Sequence, residues 1–278
     1  MTNTTDLKWL NLSQEELNNY PDLLVQIYQE KVHGTLIKQV FSPAEMNQVA
    51  QKIKANEVDL HPTVFGATIG LSLSQKITSD RDYFQEADKF RKIVKQLFVT
   101  NFEKKIESII SQISGGAEIE IPQENSRYYT PATIRLVNPQ TGGIPPHTGS
   151  EFLYNAGYDF FKNQADLADS MSYFLVIDKP ESGGELVIYD LFLSATDKTQ
   201  EDLLAFFLDV KTKIDVCSQI SLNPDVGDMI IFKGSTIMHK VANVEGTQKR
   251  LTIGGFLAFS HEERSSGEGE HKKIYYWS

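Results

Sequence analysis

The chain contains one cysteine and has neither a long apolar run nor a basic cluster, and each absence excludes a class of protein. Cys217 alone cannot form an intrachain disulfide, and its apolar neighbours predict a buried, unreactive thiol. No apolar run approaches the ~18 to 20 residues that cross a membrane. Residues 1–6 carry no basic-then-apolar export signal. We therefore expect a cytoplasmic protein that does not enter a membrane.

The charge balance argues against a nucleic-acid partner. Asp and Glu number 37 against 27 Lys and Arg, which gives a formal net charge of -10 and a pI near 5.1. No run of Lys or Arg exceeds two residues, whereas phosphate recognition needs a concentrated basic face. The 278 residues, 40% of them hydrophobic, can form a sizeable core.

Residues 1–125 are mainly helical in pattern. Ser13 and Ser42-Pro43 look like capped helix starts. From Asp80 to Ile113 apolar residues recur every three or four positions, which predicts one long helix or a broken pair ended by Gly115-Gly116. We expect these helices to cover one face of a sheet. The small residues from His61 to Ser72 predict a loop lying over a pocket.

Residues 126–278 change to short strands separated by Gly/Pro turns. The predicted strands are Ala132–Val137, Met171–Ile177, Glu185–Tyr189, Met229–Phe232, Val241–Val244 and Leu251–Phe259. An amphipathic helix is predicted over Asp197–Val210, and apolar Ile274 to Trp277 is expected to dock back. The fold class is mainly β with α: a double-stranded β-helix (jelly roll, cupin-like) core flanked by N-terminal helices, in a single domain over residues 1–278.

Two of the six histidines, His147 and His239, lie in surroundings typical of a metal site. His147 follows a Gly/Pro turn at a strand edge, and His239 follows a turn-strand unit expected to place the next loop at the end of a sheet. Oxygen-using mononuclear iron enzymes hold Fe(II) with two histidines and one carboxylate. The usual sequence form is His-x-Asp or His-x-Glu followed later by a distal histidine. We therefore predict that His147 and His239 bind iron.

The carboxylate position of this pattern is occupied by Gly149. Glycine has no donor atom and no bulk, so the vacancy can accept chloride or bromide beside the metal. A substrate radical would then combine with halogen instead of hydroxyl. Glu151 is an alternative ligand if a turn brings it back, although an extended strand would place it about 13 Å further along.

Three polar residues in apolar strands are candidates for further roles. Arg250 opens an apolar strand, and its planar guanidinium suits the distal carboxylate of 2-oxoglutarate or, alternatively, a structural ion pair. Arg135 adds positive potential near a halide or co-substrate, unless it is a surface arginine at a strand edge. Ser172 could donate to an iron-bound oxygen or be an ordinary strand serine.

With these residues in place, the chain resembles the Fe(II)/2-oxoglutarate-dependent halogenases of cyanobacterial hapalindole and welwitindolinone biosynthesis, which need no carrier protein. The matching stretches are Thr130 to Leu136, the His147-x-Gly149 site, Ser172 to Phe174, Gly183 to Tyr189, Gly227 to Met229 with His239, Thr252 to Ser260, and Lys273 to Ser278. The likeness is close over the C-terminal half and loose over the N-terminal half.

This resemblance implies a role for each matched residue. His147 and His239 bind Fe(II), Gly149 leaves room for chloride, Arg250 binds 2-oxoglutarate, and Ser172 helps to orient the oxo group away from the substrate. The implied cofactors are Fe(II), 2-oxoglutarate, chloride or bromide, and O2. The implied reaction is chlorination of an unactivated aliphatic carbon of a free-standing small molecule such as an indole alkaloid.

The expected substrate contacts are less well matched. Val64, Phe65, Ile69 and Phe152 are the candidates for a mainly apolar pocket, or else ordinary core residues. The segment from His61 to Ile69 diverges from the family. Two other functions stay open on sequence alone: a hydroxylase on the same scaffold, and a non-catalytic jelly-roll binding protein.

Overall fold

The computed structural model describes residues 7–55, 58–149, 154–193, 203–261 and 273–278, with the backbone alone for 203–209. The helices are α1 (Leu23–Tyr28), α2 (Pro43–Ala55), α3 (Tyr83–Leu97), α4 (Phe102–Gln112) and α5 (Leu203–Val216). The strands are β1 (Trp9–Leu12), β2 (Gly34–Ile37), β3 (His61–Thr63), β4 (Gly66–Ile69), β5 (Glu118–Glu120), β6 (Gln123–Glu124), β7 (Arg127–Tyr128), β8 (Thr133–Val137), β9 (Ile144–His147), β10 (Met171–Asp178), β11 (Ser182–Gly183), β12 (Leu186–Phe192), β13 (Gln219–Leu222), β14 (Met229–Phe232), β15 (Ile237–Val241), β16 (Val244–Glu245), β17 (Arg250–Phe259) and β18 (Lys273–Trp277).

The N-terminal helices begin and break at capping residues. α2 has proline at its first position, as predicted. The long periodic segment is a broken pair, because Asn101 accepts a hydrogen bond from the Lys104 amide and starts α4 anew. The segment after Ser13 differs from the prediction: a 3-10 turn precedes α1, and Pro21 stands between them.

Most of the described strands form two facing sheets, and β6-β7 and β11-β16 form two small two-stranded sheets. The main sheet has the order β1-β2-β14-β10-β17-β8-β4-β3, with β18 on β17 and β5 on β18. The minor sheet has the order β13-β12-β15-β9. Pro145 and Pro146 lie in β9, at the sheet edge, where a missing backbone N–H costs no interior ladder bond. These paired sheets and helices agree with the predicted jelly roll.

Alternation along the strands produces three apolar layers. On β10 and β17, Tyr173, Leu175, Leu251 and Ile253 face the N-terminal helices. A second layer lies between the sheets, and its buried members are Leu36, Leu186, Ile188, Ile230, Phe232 and Ile237. The third layer covers the outer face of the minor sheet, where α5 packs; its buried members are Val187, Tyr189, Leu193, Val210 and Met238.

Three predicted segments need correction. The segment from His61 to Ser72 is not a loop over a pocket: β3 and β4 pair as a hairpin, and β4 pairs with β8 in the main sheet. The strand predicted over Val241–Val244 is instead Ile237–Val241, held between β12 and β9. The inserted helix ends at Val216 rather than Val210, and residues 197–202 of the predicted span lie outside the described residues.

Two smaller expectations concern Cys217 and the C-terminal segment. Cys217 is half-buried against the third layer, and burial raises the pKa of its thiol. Residues Ile274 to Trp277 do dock back, as part of β18 on β17. Among the described residues, no helix has the length and apolar character to cross a membrane.

Candidate metal and halide site

A cavity of about 290 Å³ lies between the two sheets and contains the positions singled out by the sequence motif. His147, Gly149 and His239 line its minor-sheet side. Arg135, Ser172 and Arg250 line its main-sheet side. The structure therefore brings together all six residues predicted for metal, halide, co-substrate and oxygen contact.

The two histidines face each other across adjacent strands. His147 on β9 is the register partner of His239 on β15, and their ring centroids are 4.2 Å apart. His147 Nδ1 lies 2.8 Å from the Pro145 carbonyl oxygen, and His239 Nδ1 lies 2.9 Å from the Ile237 carbonyl oxygen. A proton on each Nδ1 makes Nε2 the nitrogen with a lone pair, which is the tautomer suited to a metal.

His239 is also held neutral. Burial lowers the pKa of His239 well below its usual value, and the neighbouring His147 lowers it further. The Phe232 ring stands edge-on at 4.8 Å and contributes to this apolar setting. A neutral imidazole is the form that binds a metal, so His239 can bind one without first losing a proton.

His239 lies within a strand rather than in the predicted loop. Its neighbours Met238 and Lys240 point to the outer layer, where Lys240 Nζ lies 5.7 Å from the Tyr189 ring centroid. Alternation therefore directs His239 inward, and pairing on both sides fixes its direction.

Gly149, two residues after His147, offers no ligand atom. Its amide donates a 2.7 Å hydrogen bond to the Gly234 carbonyl. Its backbone is outside the left-handed region, and a Cβ added there would lie 3.4 Å from Gly234 O, an ordinary contact. Neither conformation nor space therefore requires glycine at this position.

No group of three or more His, Cys, Asp or Glu side chains suited to a metal occurs within the part of the chain that the structure describes. The alternative ligand Glu151 falls outside the described residues. The two imidazoles fit a divalent iron that completes its coordination with ligands from solution.

Arg250 is buried at the start of β17, where it contacts polar groups but no described carboxylate. Nε donates to the Gly184 carbonyl at 2.9 Å, and Nη1 lies 3.5 Å from Thr252 Oγ1. The guanidinium lies 5.2 Å from the Phe174 ring centroid. Burial lowers the pKa of Arg250 to about 10, and the charge of Arg135 contributes to the shift. The structural ion pair considered from sequence is not found among the described residues.

Arg135 lies on the same sheet face, in β8, opposite Thr252 of β17. Arg135 is an exposed residue that also lines the cavity, and partial desolvation lowers its pKa. It makes no hydrogen bond or ion pair with a described residue. None of the described residues that line the cavity has a carboxylate side chain, so an anion from outside the chain would complement these two guanidinium groups.

Ser172 lies on the inner face of β10, opposite Phe232 on one side and Phe256 on the other. Its hydroxyl oxygen stands against Gly234: a Cβ added to that glycine would be 2.1 Å from Ser172 Oγ. Ser172 and Gly149 therefore both contact the same residue, from opposite sheets.

Sequence reasoning missed the hydroxyls beside the arginines. Thr252 lies two residues after Arg250, on the same face of β17, and lines the cavity. Thr133 occupies the corresponding place before Arg135, and its Oγ1 lies 2.9 Å from Ser278 Oγ. The spacing in the sequence indicates both hydroxyls, because residues i and i+2 of a β-strand lie on the same face of the sheet.

The predicted substrate contacts do not converge on this cavity. Val64 is 85% exposed at the hairpin turn between β3 and β4. Ile69 is fully buried opposite Ile134, on the helix-facing side of the main sheet. Phe65 lines a surface groove that shares Ile144 and Val241 with the cavity, and Phe152 lies outside the described residues. For Val64 and Ile69 we correct the expected location, since sheet pairing turns these two side chains away.

Comparison with solved structures places the fold. An N-substituted L-amino acid dioxygenase from Burkholderia ambifaria AMMD shares 14% identity at a TM-score of 0.51, with 86% of this chain and 87% of that chain covered. A member of the 2OG-Fe(II) oxygenase family from Burkholderia pseudomallei shares 11% identity at a TM-score of 0.49, with 91% and 95% covered. At these identities the likeness of the first structure shows the fold alone.

A search of curated protein sequences finds no significant match. A family model described as the carrier-protein-independent halogenase WelO5 matches residues 6–278. The chain therefore belongs to the WelO5 family of carrier-protein-independent halogenases and is an oxidoreductase of the class that depends on Fe(II), 2-oxoglutarate and O2.

Proposed function

We propose that the protein holds Fe(II) through His147 and His239 and binds chloride, or bromide, beside Gly149, so that it halogenates an unactivated aliphatic carbon of a free-standing small molecule. The observation that supports this most directly is Gly149, which lines the cavity beside His147 and has no ligand side chain, although a Cβ would fit there. A halide matches the charge of the missing carboxylate.

When bound, the iron and 2-oxoglutarate supply oxidation by O2 with release of CO2 and succinate. The residues of the chain bind and orient these groups. His147 and His239 present Nε2 because both Nδ1 atoms face backbone carbonyls.

Arg250 binds the distal carboxylate of 2-oxoglutarate in this proposal. A guanidinium can donate two parallel hydrogen bonds to a carboxylate, and the bond from Nε to Gly184 fixes the orientation of the group. Thr252 Oγ1, on the same strand face, accepts a hydrogen bond from Arg250 Nη1 at 3.5 Å and helps to orient the guanidinium. Arg250 keeps its charge at neutral pH, since burial lowers its pKa only to about 10, and an anion would offset the cost of burying that charge.

Arg135 supplies positive potential for the halide and co-substrate. The cavity limits screening by water, so the charge acts more strongly than it would at the surface. Ser172 lines the cavity and would offer its hydroxyl as a hydrogen-bond donor beside the iron, which would orient the oxidant relative to the substrate when these groups are bound.

The substrate proposed here is hydrophobic, such as an indole alkaloid, without a carrier protein. Phe174, Phe232, Phe256, Ile144, Leu186 and Val241 contribute apolar surface to the cavity. Phe152 remains a candidate contact because it follows Gly149 closely in sequence.

The test is an anaerobic titration of the Fe(II)/2-oxoglutarate complex with chloride, observed through its visible charge-transfer band. We expect a saturable change in the native protein and none in Gly149→Asp, whose carboxylate would occupy the halide position. Gly149→Ala is the matched control, since it adds the same Cβ at 3.4 Å from Gly234 O without a donor atom.

Product masses complete the experiment. Native protein and Gly149→Ala should yield a chlorine isotope pair with an accepted substrate, whereas Gly149→Asp should yield a gain of one oxygen. A charge-transfer band indifferent to chloride, together with hydroxylated product from the native protein, would reject the halogenase proposal.

A further inference from the structure

The residues from Lys233 to Thr236 form a loop that joins the two walls of the cavity; we name it the joint loop. It leaves β14 of the main sheet and enters β15 of the minor sheet, which carries His239. The Lys233 carbonyl accepts the Ile237 amide at 3.1 Å, which fixes the start of β15. The position of the loop therefore determines how the walls are placed at the proposed iron.

Gly234 is where this loop contacts both halves of the site. Its carbonyl accepts the 2.7 Å hydrogen bond from the Gly149 amide. On its other side, an added Cβ would lie 2.1 Å from Ser172 Oγ and 2.9 Å from Ser172 Cβ. Its backbone is outside the left-handed region. Glycine is therefore needed here for space, because the Ser172 side chain occupies the place of a Cβ.

Hydrogen bonds from the residues on both sides of Gly234 hold the joint loop in place. The Lys233 side chain is fully buried, and its Nζ donates to Asp169 Oδ1 at 2.6 Å and to the Tyr28 carbonyl at 2.9 Å. The Ser235 amide donates to the Ser170 carbonyl at 3.3 Å. A side chain at position 234 would consequently displace the small Ser172 hydroxyl before it moved the loop.

We propose that Gly234 is a specificity-determining positioning residue: its carbonyl fixes the halide position at Gly149, and its missing side chain admits the Ser172 hydroxyl. This inference rests on the proposed function. The loop sets the separation between the halide and the hydroxyl that directs oxygen, and thereby the choice between halogen and hydroxyl transfer.

The choice arises after the substrate has lost one hydrogen atom. The carbon radical then forms one bond, either to chlorine or to the hydroxyl oxygen, and one electron returns to the metal in both cases. Both outcomes transfer one electron and form one bond, so the positions of the chlorine and the hydroxyl relative to the carbon radical decide between them.

Gly234→Ala tests the proposal because it displaces the Ser172 hydroxyl without removing it. Its effect is measured in a double-mutant cycle with Ser172→Gly, in which the space is free again. Ser235→Ala is the matched control: it lies in the same loop, and its buried hydroxyl has no hydrogen-bond partner among the described residues.

The main readout needs no substrate. Nitric oxide, added anaerobically as a stand-in for oxygen to the Fe(II)/2-oxoglutarate/chloride complex, gives an electron paramagnetic resonance signal whose rhombicity reports hydrogen bonding at the oxygen position. We expect Gly234→Ala to reproduce the signal of Ser172→Gly, with no further change in the double variant. Ser235→Ala should resemble the native protein.

With a substrate that the native protein chlorinates, the ratio of chlorinated to hydroxylated product should fall about tenfold in Gly234→Ala, the equivalent of one hydrogen bond. An unchanged signal and ratio in Gly234→Ala, or an equal effect when Gly234→Ala is added to the Ser172→Gly variant, would overturn the inference. If Gly234→Ala fails to hold iron, recovery in the double variant supports the contact and loss in both rejects it.

Failure of the proposed function would give a different result from failure of the inference about Gly234. In that case the native protein itself would show no response to chloride in the charge-transfer band, whereas failure of this inference leaves that response intact.

Discussion

The two walls of the cavity are built from different chemistry. The minor sheet contributes two imidazoles, His147 and His239, on adjacent strands. The main sheet contributes two cations, Arg135 and Arg250, and hydroxyls on alternate positions of its strands. Burial lowers the pKa of His239 on one wall and of Arg250 on the other. The neutral imidazole of His239 can bind a metal, whereas the buried guanidinium of Arg250 is stabilised by an anion.

This difference explains how one cavity can attract both a dication and anions. Neither imidazole brings a negative charge to the proposed metal site, so the positive potential of the opposite wall remains available for a carboxylate and a halide. The joint loop holds the walls together. Variants of each wall should therefore have separable effects.

The largest effect is expected from the minor sheet. His239→Ala removes one of two protein ligands and should abolish iron retention and succinate formation, a loss of about 1000-fold or more for a metal-dependent activity. Iron content after desalting measures this. Lys240→Ala is the control, since the adjacent side chain points to the outer layer; equal loss of iron in both variants would contradict the assignment.

On the main sheet, Arg250→Lys should raise the KM for 2-oxoglutarate by about 100-fold, because a point charge cannot replace two parallel hydrogen bonds. Iron retention without 2-oxoglutarate should stay at the native level. Steady-state succinate assays and iron analysis separate the two quantities. An unchanged KM would assign Arg250 a structural role.

A smaller effect is expected for Arg135→Gln. The loss of one positive charge that lines the cavity should weaken chloride binding about tenfold, measured with the charge-transfer titration. The 2-oxoglutarate affinity should change less than in Arg250→Lys. A larger effect on 2-oxoglutarate than on chloride would exchange the proposed roles of the two arginines.

The smallest effect is expected at the joint loop. Lys233→Met removes the hydrogen bonds of a fully buried amine, but Asp169 is 44% exposed and can be solvated. The free energy of unfolding should fall by about 1 to 2 kcal/mol. Lys162→Met breaks a comparable surface pair, at 2.9 Å with side chains 26% and 68% exposed, and should change stability by less than about 0.5 kcal/mol. Thermal denaturation compares them, and equal stability loss would disprove the anchoring role.

Much of the fold could be predicted from local patterns. The helix starts at Pro43 and the break before Phe102 follow from capping chemistry. The strands around Tyr173 and Ile253 are identifiable from their runs of β-branched and aromatic residues. The hairpin at Gly66 was missed because its pairing with β8 is long-range and leaves little periodicity.

The candidate site was predicted in part. His147, His239, Gly149 and Arg250 could be selected because each is unusual in its local context. Val64 and Ile69 were predicted as substrate contacts only because they lie in the segment from His61 to Ile69. The sheet places the Val64 side chain in solvent and the Ile69 side chain in the core. The hydroxyl of Thr252 was overlooked although its spacing from Arg250 already placed it on the same face.

By itself, the sequence determined the residue types that can bind iron, the absent carboxylate at Gly149 and an arginine proposed to bind an acidic co-substrate. Only the tertiary structure decided that both histidines pair across β9 and β15, that two arginines share one cavity, and that Ser172 and Gly149 meet at Gly234. The physical reason is that chemical identity is local, whereas strand register and close packing depend on segments distant in the chain.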